Sequence, residues 1–351
     1  MTFRPATPTD DPAWQALLGR VSSGDFLHDW TWAEVAAFDG QPQRRFVLEE
    51  DGELVALAAA QVRPMGLGTS FWYVPHGPIL DYTVPSAPNR LTAMLEGLAG
   101  ATREHGGMVV RLEPRVEADG AAAALFDGLA TPVGQRLQVG QTRVVPLAED
   151  ELMLAAFDAD TRWAVRRTIR EGLDTRIVAE SGDTTAVDRL HDLVMATQRR
   201  AGFPLPALER YRTAWAALAG AGRACLVEGW WNDEILASGL LVVEGGQSFY
   251  LFAGSRRELA GEPKRYASYA VQWTMLREAQ ARGSRRHDLW GVAPAGAGPD
   301  HRWAGVGLFK RGFGGREVHW AGSWEIVVAP AAYRLRSALG RLRRRGPVPA
   351  E

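Results

Sequence analysis

The chain repeats itself at long range. Near Val47 it reads Glu50-Asp51-Gly52-Glu53-Leu54-Val55-Ala56, then Ser70-Phe71-Trp72-Tyr73. Near Val227 it reads Asn232-Asp233-Glu234-Ile235-Leu236-Ala237, then Ser248-Phe249-Tyr250-Leu251. Glu53 to Glu234, and Ser70 to Ser248, are each about 180 positions apart, which indicates two tandem copies of one domain rather than a short-period solenoid. Two copies create a cleft, and clefts between domains are favoured places for ligands.

A chain of 351 residues has room for two domains of about 150 residues each. With 46% hydrophobic and 23% charged residues, each half can bury its own core. A formal net charge of −1 gives no global attraction to nucleic acid or anionic lipid, so any such attraction is local. The one cysteine, Cys225, reads as a small core residue on a strand. No basic stretch followed by an apolar run opens the chain, so no secretory signal is expected. No window approaches the ~18 apolar residues of a membrane helix, and a cytoplasmic protein is expected.

In the first copy, Asp29 is expected to cap a helix over 30–38, after an earlier helix over 11–18. Strands are expected over 46–48, 54–63, 70–74 and 108–112, with a helix over 85–105 ending at Gly106-Gly107. Asp51-Gly52 makes the first hairpin turn. The second copy repeats the order: strands over 224–228, 235–243 and 249–253, a helix over 266–282, and a strand over 287–290. Hairpin, strand, helix, strand is a mixed α/β unit. Between the copies a strand is expected over 137–147 and one helix over 149–171. The latter places Arg162, Arg166 and Arg170 on one face. Two final strands are expected around Gly314-Gly315, followed by a basic C-terminal helix from Arg334 that could touch anionic lipid or tRNA.

No ligand-spaced histidines or cysteines suggest a metal. Arg63-Pro64-Met65-Gly66-Leu67-Gly68 matches a pyrophosphate-loop pattern, but it leads into a strand, and a hairpin turn is the better reading. Glu113 closes the apolar run Val109-Val110-Arg111-Leu112, where Pro114 ends ladder bonding. An acid at that strand mouth can meet a substrate amine, or can simply be solvated. Lys310, within Leu308-Phe309-Lys310-Arg311-Gly312-Phe313, can hold a phosphate or an ester oxygen. Tyr73-Val74-Pro75-His76-Gly77-Pro78 and His287-Asp288-Leu289-Trp290-Gly291 are strand ends that line a cleft or form rigid turns.

In order along the chain, several stretches resemble the FemABX family of peptidoglycan bridge-forming, aminoacyl-tRNA-dependent transferases. They are 26–34 (FLHDWTWAE), 71–81 (FWYVPHGPILD), 110–114, 161–172 (TRWAVRRTIREG), 199–203, 273–291 and 308–314 (LFKRGFG), with 317–333 similar to the family's closing strand. The resemblance implies an α/β (α+β) fold of two tandem GNAT-like domains with mixed sheets and an inter-domain cleft. Residues 1–147, completed by 317–351, would form the first domain and 148–316 the second. It implies transfer of an amino acid from aminoacyl-tRNA to the side-chain amine of a UDP-linked or lipid-linked peptidoglycan precursor, with no cofactor. Lys310 and Phe309 would serve the ester, and Glu113 would sit beside the acceptor amine. Trp32, Tyr73, Arg199, Arg210, Tyr211, Lys264, Tyr266 and Tyr269 would bind substrate, and Arg162, Arg166 and Arg170 would contact tRNA or phosphate. A monomer is expected, with peripheral membrane contact through the basic C-terminal helix. Two places depart from the family. Its diphosphate-binding lysine falls on Ala36 or Ala37, and an arginine falls on Pro206, leaving Arg199, Arg200, Arg210 or Lys264 to substitute. A GNAT-type N-acyltransferase using acyl-CoA and a binding protein with a decayed cleft are the alternatives.

Overall fold

A computed structural model describes residues 1–335 except Leu67, 202–204, 257–264, 294–295 and 299–302, and for 200–201 the backbone alone. The first half runs β1 (Thr2–Pro5), α1 (Asp11–Arg20), α2 (Trp32–Phe38), β2 (Gln43–Glu50), β3 (Glu53–Gly66), β4 (Thr69–His76), β5 (Ile79–Leu80), α3 (Ala87–Glu104), β6 (Gly107–Pro114), α4 (Ala121–Ala124) and β7 (Thr131–Val133). The middle runs β8 (Gln141–Pro146), α5 (Asp150–Ala156), α6 (Ala159–Glu171), β9 (Asp174–Val178), α7 (Thr184–Ala201) and α8 (Leu208–Gly220). The second copy follows with β10 (Ala224–Trp231), β11 (Glu234–Glu244), β12 (Gln247–Ser255), α9 (Ala267–Ala281), β13 (Arg286–Gly291), α10 (Ala304–Gly312), β14 (Arg316–His319) and β15 (Ser323–Val327).

The repeat is structural. One sheet has the order β1-β2-β3-β4-β6-β15-β7, with β5 on β3; the other reads β9-β10-β11-β12-β13-β8-β14. Strand for strand these match, and both are mixed: β3 and β4 pair antiparallel and β4 and β6 parallel, as do β11, β12 and β13. Both opening hairpins turn through two residues at positive φ, Asp51 (51°) and Gly52 (83°) in one, Asn232 (49°) and Asp233 (59°) in the other. That geometry matches the twist of the flanking strands.

Each copy borrows a strand. β15 returns from the end of the chain to pair with β6, while β8 and β14 pair with each other beside β13. The hydrogen bonds of β8 and β14 place 141–146 and 316–319 in the second sheet.

Local chemistry explains the other differences. The long helix expected over 149–171 breaks at Phe157-Asp158, because Asp158 accepts from Thr161 N at 2.6 Å and starts α6 afresh. Of the two strands expected around Gly314-Gly315, the one before it is replaced by a helix, Ala304–Gly312. Asp29 does not cap a helix at Trp30. It accepts from Thr31 N at 2.7 Å and Thr31 Oγ1 at 2.6 Å, and α2 starts two residues later than expected, at Trp32. The expected basic C-terminal helix lies, beyond Leu335, outside the described residues.

A hydrophobic core joins the halves. Phe26, Leu27, Trp32 and Val35 of the first pack with Tyr211, Trp215, Leu218, Leu240 and Phe249 of the second. Interfaces built like a domain core resist relative motion. Beside it lies a buried acid pair: Arg223 reaches Glu244 Oε1 at 3.2 Å and Asp29 Oδ2 at 3.6 Å. Burial, and then the Asp29 charge, push the Glu244 carboxyl up from 4.5 to about 9. Its proton favours folding fully below pH 4.5, and that contribution is lost as pH rises through about 9. Glu244→Gln keeps a neutral group at every pH. We expect it to raise the unfolding midpoint at pH 8 by about 2–6 °C and to change it little at pH 5. An equal shift at both values in a calorimetric scan would contradict the shared-proton account.

Candidate active site

Strands β12 and β13 run side by side and then part. Their parallel pairing covers Gln247 to Phe249 against Arg286 to Asp288 and no further, although β12 continues to Ser255. Backbone groups released in this way need new partners when buried. Lys310, on α10, supplies one: its Nζ donates to the Gly291 carbonyl at 2.7 Å. The side chain is buried, and Nζ sits 5.8 Å from the centre of the Tyr250 ring. Burial lowers the Lys310 ammonium to about 8, with the Asp288 charge opposing the shift. An ammonium has three donors, and Gly291 uses one.

Phe309, the residue before Lys310 on α10, belongs to an aromatic cluster. Phe309 packs against Tyr269 at 5.1 Å and Phe313 at 5.2 Å between ring centres. Tyr266 precedes α9 in the left-handed region, φ 57°. Its ring meets Tyr269 at 5.9 Å and Trp163 at 5.3 Å, and the Arg167 guanidinium lies over Trp163 and Tyr266. Phe309, Tyr266 and Tyr269, chosen from the sequence, thus come together, and Lys310 follows Phe309 on the same helix.

The same place in the first copy is closed. β4 and β6 stay paired from Ser70 and Gly107 to His76 and Pro114. Glu113, expected beside a substrate amine, is buried and fully bonded. Its Oε1 accepts from Leu137 N and Ser323 Oγ, both at 2.7 Å. Its Oε2 accepts from Gln138 N at 2.7 Å and Tyr73 Oη at 2.9 Å. A carboxylate offers about four lone-pair sites, and all are taken. Glu113 staples the 137–138 segment and β15 to β6, and Tyr73 is part of the staple. Burial, and then the charge of Glu113, raise the Tyr73 phenol well above its usual range.

Other expected ligands are also committed elsewhere. Trp32 and Tyr211 belong to the core that joins the halves. Arg210 pairs with Asp39 Oδ1 at 2.9 Å across the seam of α2 and α8. Arg162 turns onto the carbonyls of Leu154, Ala155 and Phe157 at 3.2–3.3 Å, closing the end of α5. Arg166, Arg170 and Arg199 are exposed. Lys264 and Phe203 lie outside the described residues, as does the Arg200 side chain. Among the described residues no group of three or more His, Cys, Asp or Glu could hold a metal ion. None of their helices is long and apolar enough to cross a membrane.

Between the sheets lies a buried polar network. Arg115, just past β6, donates from Nη2 to Asp288 Oδ2 at 2.7 Å. Its Nη1 donates to Gln247, and its Nε lies 3.4 Å from Asp25 Oδ2. Asp25 also holds His76 Nδ1 at 2.8 Å. The guanidinium is sandwiched 5.0 Å from the rings of Phe249 and Trp320. Asp288 Oδ1 in turn accepts from Trp290 N at 2.8 Å, where Trp290 adopts φ 63°. Sequence reading marked His76 and the 287–291 run as strand ends but missed Arg115 and Asp25. The available signal was a basic residue directly after a strand-terminating proline. His287 is a neutral core residue: burial, then the Lys310 charge, lower it to about 3, and Ser248 Oγ lies 2.8 Å from its Nδ1.

Glu113→Gln puts an amide NH₂ where donors now point inward. Such a mismatch in a buried site costs about 1–3 kcal/mol. We expect a lower urea midpoint with an unchanged slope; an unaltered midpoint would show that the four bonds carry no stability.

The FemAB family model matches residues 230–341. A lipid II:glycine glycyltransferase of Staphylococcus saprophyticus subsp. saprophyticus is 24% identical over 220 residues, covering 59% of this chain and 51% of that one. The chain spans about half the length of the curated relatives it matches. A crystal structure of FemX superposes with a TM-score of 0.84 at 19% identity, covering 95% of this chain and 99% of that one. A tandem GNAT protein from the clavulanic acid biosynthesis pathway gives a TM-score of 0.50 at 14% identity, covering 93% and 98%. The fold is therefore mixed α/β with two tandem GNAT-like domains.

Proposed function

The chain belongs to the FemABX family, and on that premise we propose that it is an aminoacyltransferase. It takes an amino acid from aminoacyl-tRNA and places it on the side-chain amine of a peptidoglycan-precursor stem peptide, nucleotide-linked or lipid-linked. The observation that carries the reading is Lys310: a buried amine lowered to about 8, set where two strands part, bonded to the Gly291 carbonyl at 2.7 Å and 5.8 Å from the centre of the Tyr250 ring.

The reaction is aminolysis of an ester. The attacking nitrogen forms a bond to the ester carbonyl carbon, the bond from that carbon to the ribose oxygen breaks, and the released oxygen takes a proton. Negative charge grows first on the carbonyl oxygen and then on the leaving oxygen. Lys310 has donors left for either, in a site where desolvation strengthens each contact. An amine near 8 also gives up and regains a proton at working pH. A guanidinium would not. Lys264 and Lys310 are the only lysines among the forty Lys and Arg residues, so an amine here stands out against a chain that otherwise uses arginine. Arg166 and Arg170, exposed on α6 near Trp163, suit the RNA backbone. Glu113 serves as a structural staple in this reading, and the attacking amine passes its proton elsewhere.

A thioester donor is less favoured. Arg63, Pro64 and Gly66 end β3 and pair with the antiparallel strand β4, which follows in the chain where a phosphate-binding loop would lead into a helix.

The deciding experiment incubates the protein with a mixed pool of charged tRNAs and candidate precursors of both linkages, then weighs the precursors. A gain of one amino-acid residue is expected; acyl transfer from acyl-CoA without tRNA would overturn the proposal. Lys310→Met is expected to cut transfer at least about tenfold, equivalent to ~1.4 kcal/mol of barrier. Its unfolding midpoint at pH 7 should hold or rise. The lowered value means that folding is penalised below pH 8 and relieved as pH climbs toward 10.5. Full transfer by a folded Lys310→Met protein would remove Lys310 from the mechanism.

A further inference from the structure

We propose that Arg115 is a positioning residue for Lys310, acting across the two domains through Asp288. The inference rests on the role given to Lys310 above, but it concerns a residue that touches neither substrate. The path is short and each step is a buried contact. Arg115 Nη2 holds Asp288 Oδ2 at 2.7 Å. The other oxygen of Asp288 holds Trp290 N at 2.8 Å. That bond braces Trp290 at φ 63°, a conformation that a bulky side chain adopts only when its surroundings enforce it. The turn aims the next carbonyl, Gly291 O, at Lys310 Nζ, 2.7 Å away. A cation of the first domain thus seats the amine of the second.

The same clasp sets the charge that Lys310 feels. On β13, His287 is neutral and Asp288 is the acid whose charge reaches Lys310. From β12 the facing group is the phenol Tyr250, its ring centre 5.8 Å from Nζ. On α10 itself, Arg311 is turned to Glu317 Oε1 at 2.7 Å. Arg115 neutralises Asp288, and so keeps that carboxylate from holding the Lys310 proton tightly. Arg115 is well suited to this: it is buried, planar, sandwiched between Phe249 and Trp320, and shared with Asp25 and Gln247. Lysine could not make those contacts together.

The test needs no substrate. With two lysines in the chain, protein grown on lysine labelled with ¹³C at the ε carbon gives two lysine signals, and Lys310→Met identifies one of them. In Arg115→Met the Lys310 titration midpoint is expected to rise by about one unit, and in Asp288→Asn to fall by about one unit. General loosening of the site would move both in the same direction. If Arg115→Met does not fold, the double variant Arg115→Met/Asp288→Asn removes both charges, and its midpoint must then lie about one unit above that of Asp288→Asn, close to that of the unaltered protein. An unmoved midpoint in either folded single variant, shifts of one sign in both, or a double variant no higher than Asp288→Asn overturns the proposal. Transfer assays separate the two claims: midpoints that move as stated, combined with full transfer by Lys310→Met, would sink the catalytic reading and leave the clasp standing.

Discussion

Two parallel strands that stop pairing after three residues determine the candidate site. A parallel ladder is normally continuous and buried on both faces. Where β12 and β13 separate, backbone groups of both strands face a gap, and the gap must be filled by side chains or by ligand. Lys310 fills part of it by bonding Gly291. Tyr250 lies beside it, its ring centre 5.8 Å from Nζ. Burial removes water, and water removal is what lowers the amine. Strand divergence, burial and an amine that titrates near neutrality are thus successive consequences of one topological event.

The first copy shows what happens without that event. Its strands β4 and β6 stay paired from Ser70 and Gly107 to His76 and Pro114, and the acid at the end of β6 is tied into four hydrogen bonds. Glu113 binds two backbone amides, a serine and a tyrosine. Through Ser323 it anchors β15, the strand that the first sheet borrows from the end of the chain. The duplicated scaffold has therefore split its work: one copy stays zipped and supplies rigidity, and the other opens. The shared core around Phe26, Trp32, Tyr211 and Phe249 lets the rigid copy hold the open one.

Much of this was legible in the sequence because it is local. Asp51-Gly52 and Asn232-Asp233 announce hairpins through the backbone angles those residues tolerate, and their spacing announces the duplication. The aromatic neighbours of Lys310 are visible as a run. What the sequence concealed depends on distant partners. Glu113 reads identically whether its lone pairs meet water or four protein donors. Arg162, Arg166 and Arg170 share a helical face by spacing, yet Arg162 folds back on α5 because carbonyls at the end of that helix lack partners. The segment before Gly314-Gly315, expected as strand, is helical, and its glycines and mixed polarity give no clean period. Strand exchange between the copies leaves no local mark, since β8 alternates no differently for pairing with β13 than it would for closing the first sheet.

Charge in the interior follows the same division between local and distant. Most arginines described here lie at surfaces, where pairs such as Arg176 with Asp174 contribute little because water screens them. Arg115 is different: it lies in a buried seam with Asp25, Asp288 and His76. Breaking a buried charged group from its partners is strongly destabilising, while the assembled pair is near neutral for stability. Such a cluster is a poor device for holding two domains together, since the apolar core beside it already does that. It is a good device for fixing register and charge, because any slip of one sheet against the other would strand an ion. The network sits one turn of chain from Gly291, and so the register it fixes is that of the carbonyl on which Lys310 rests.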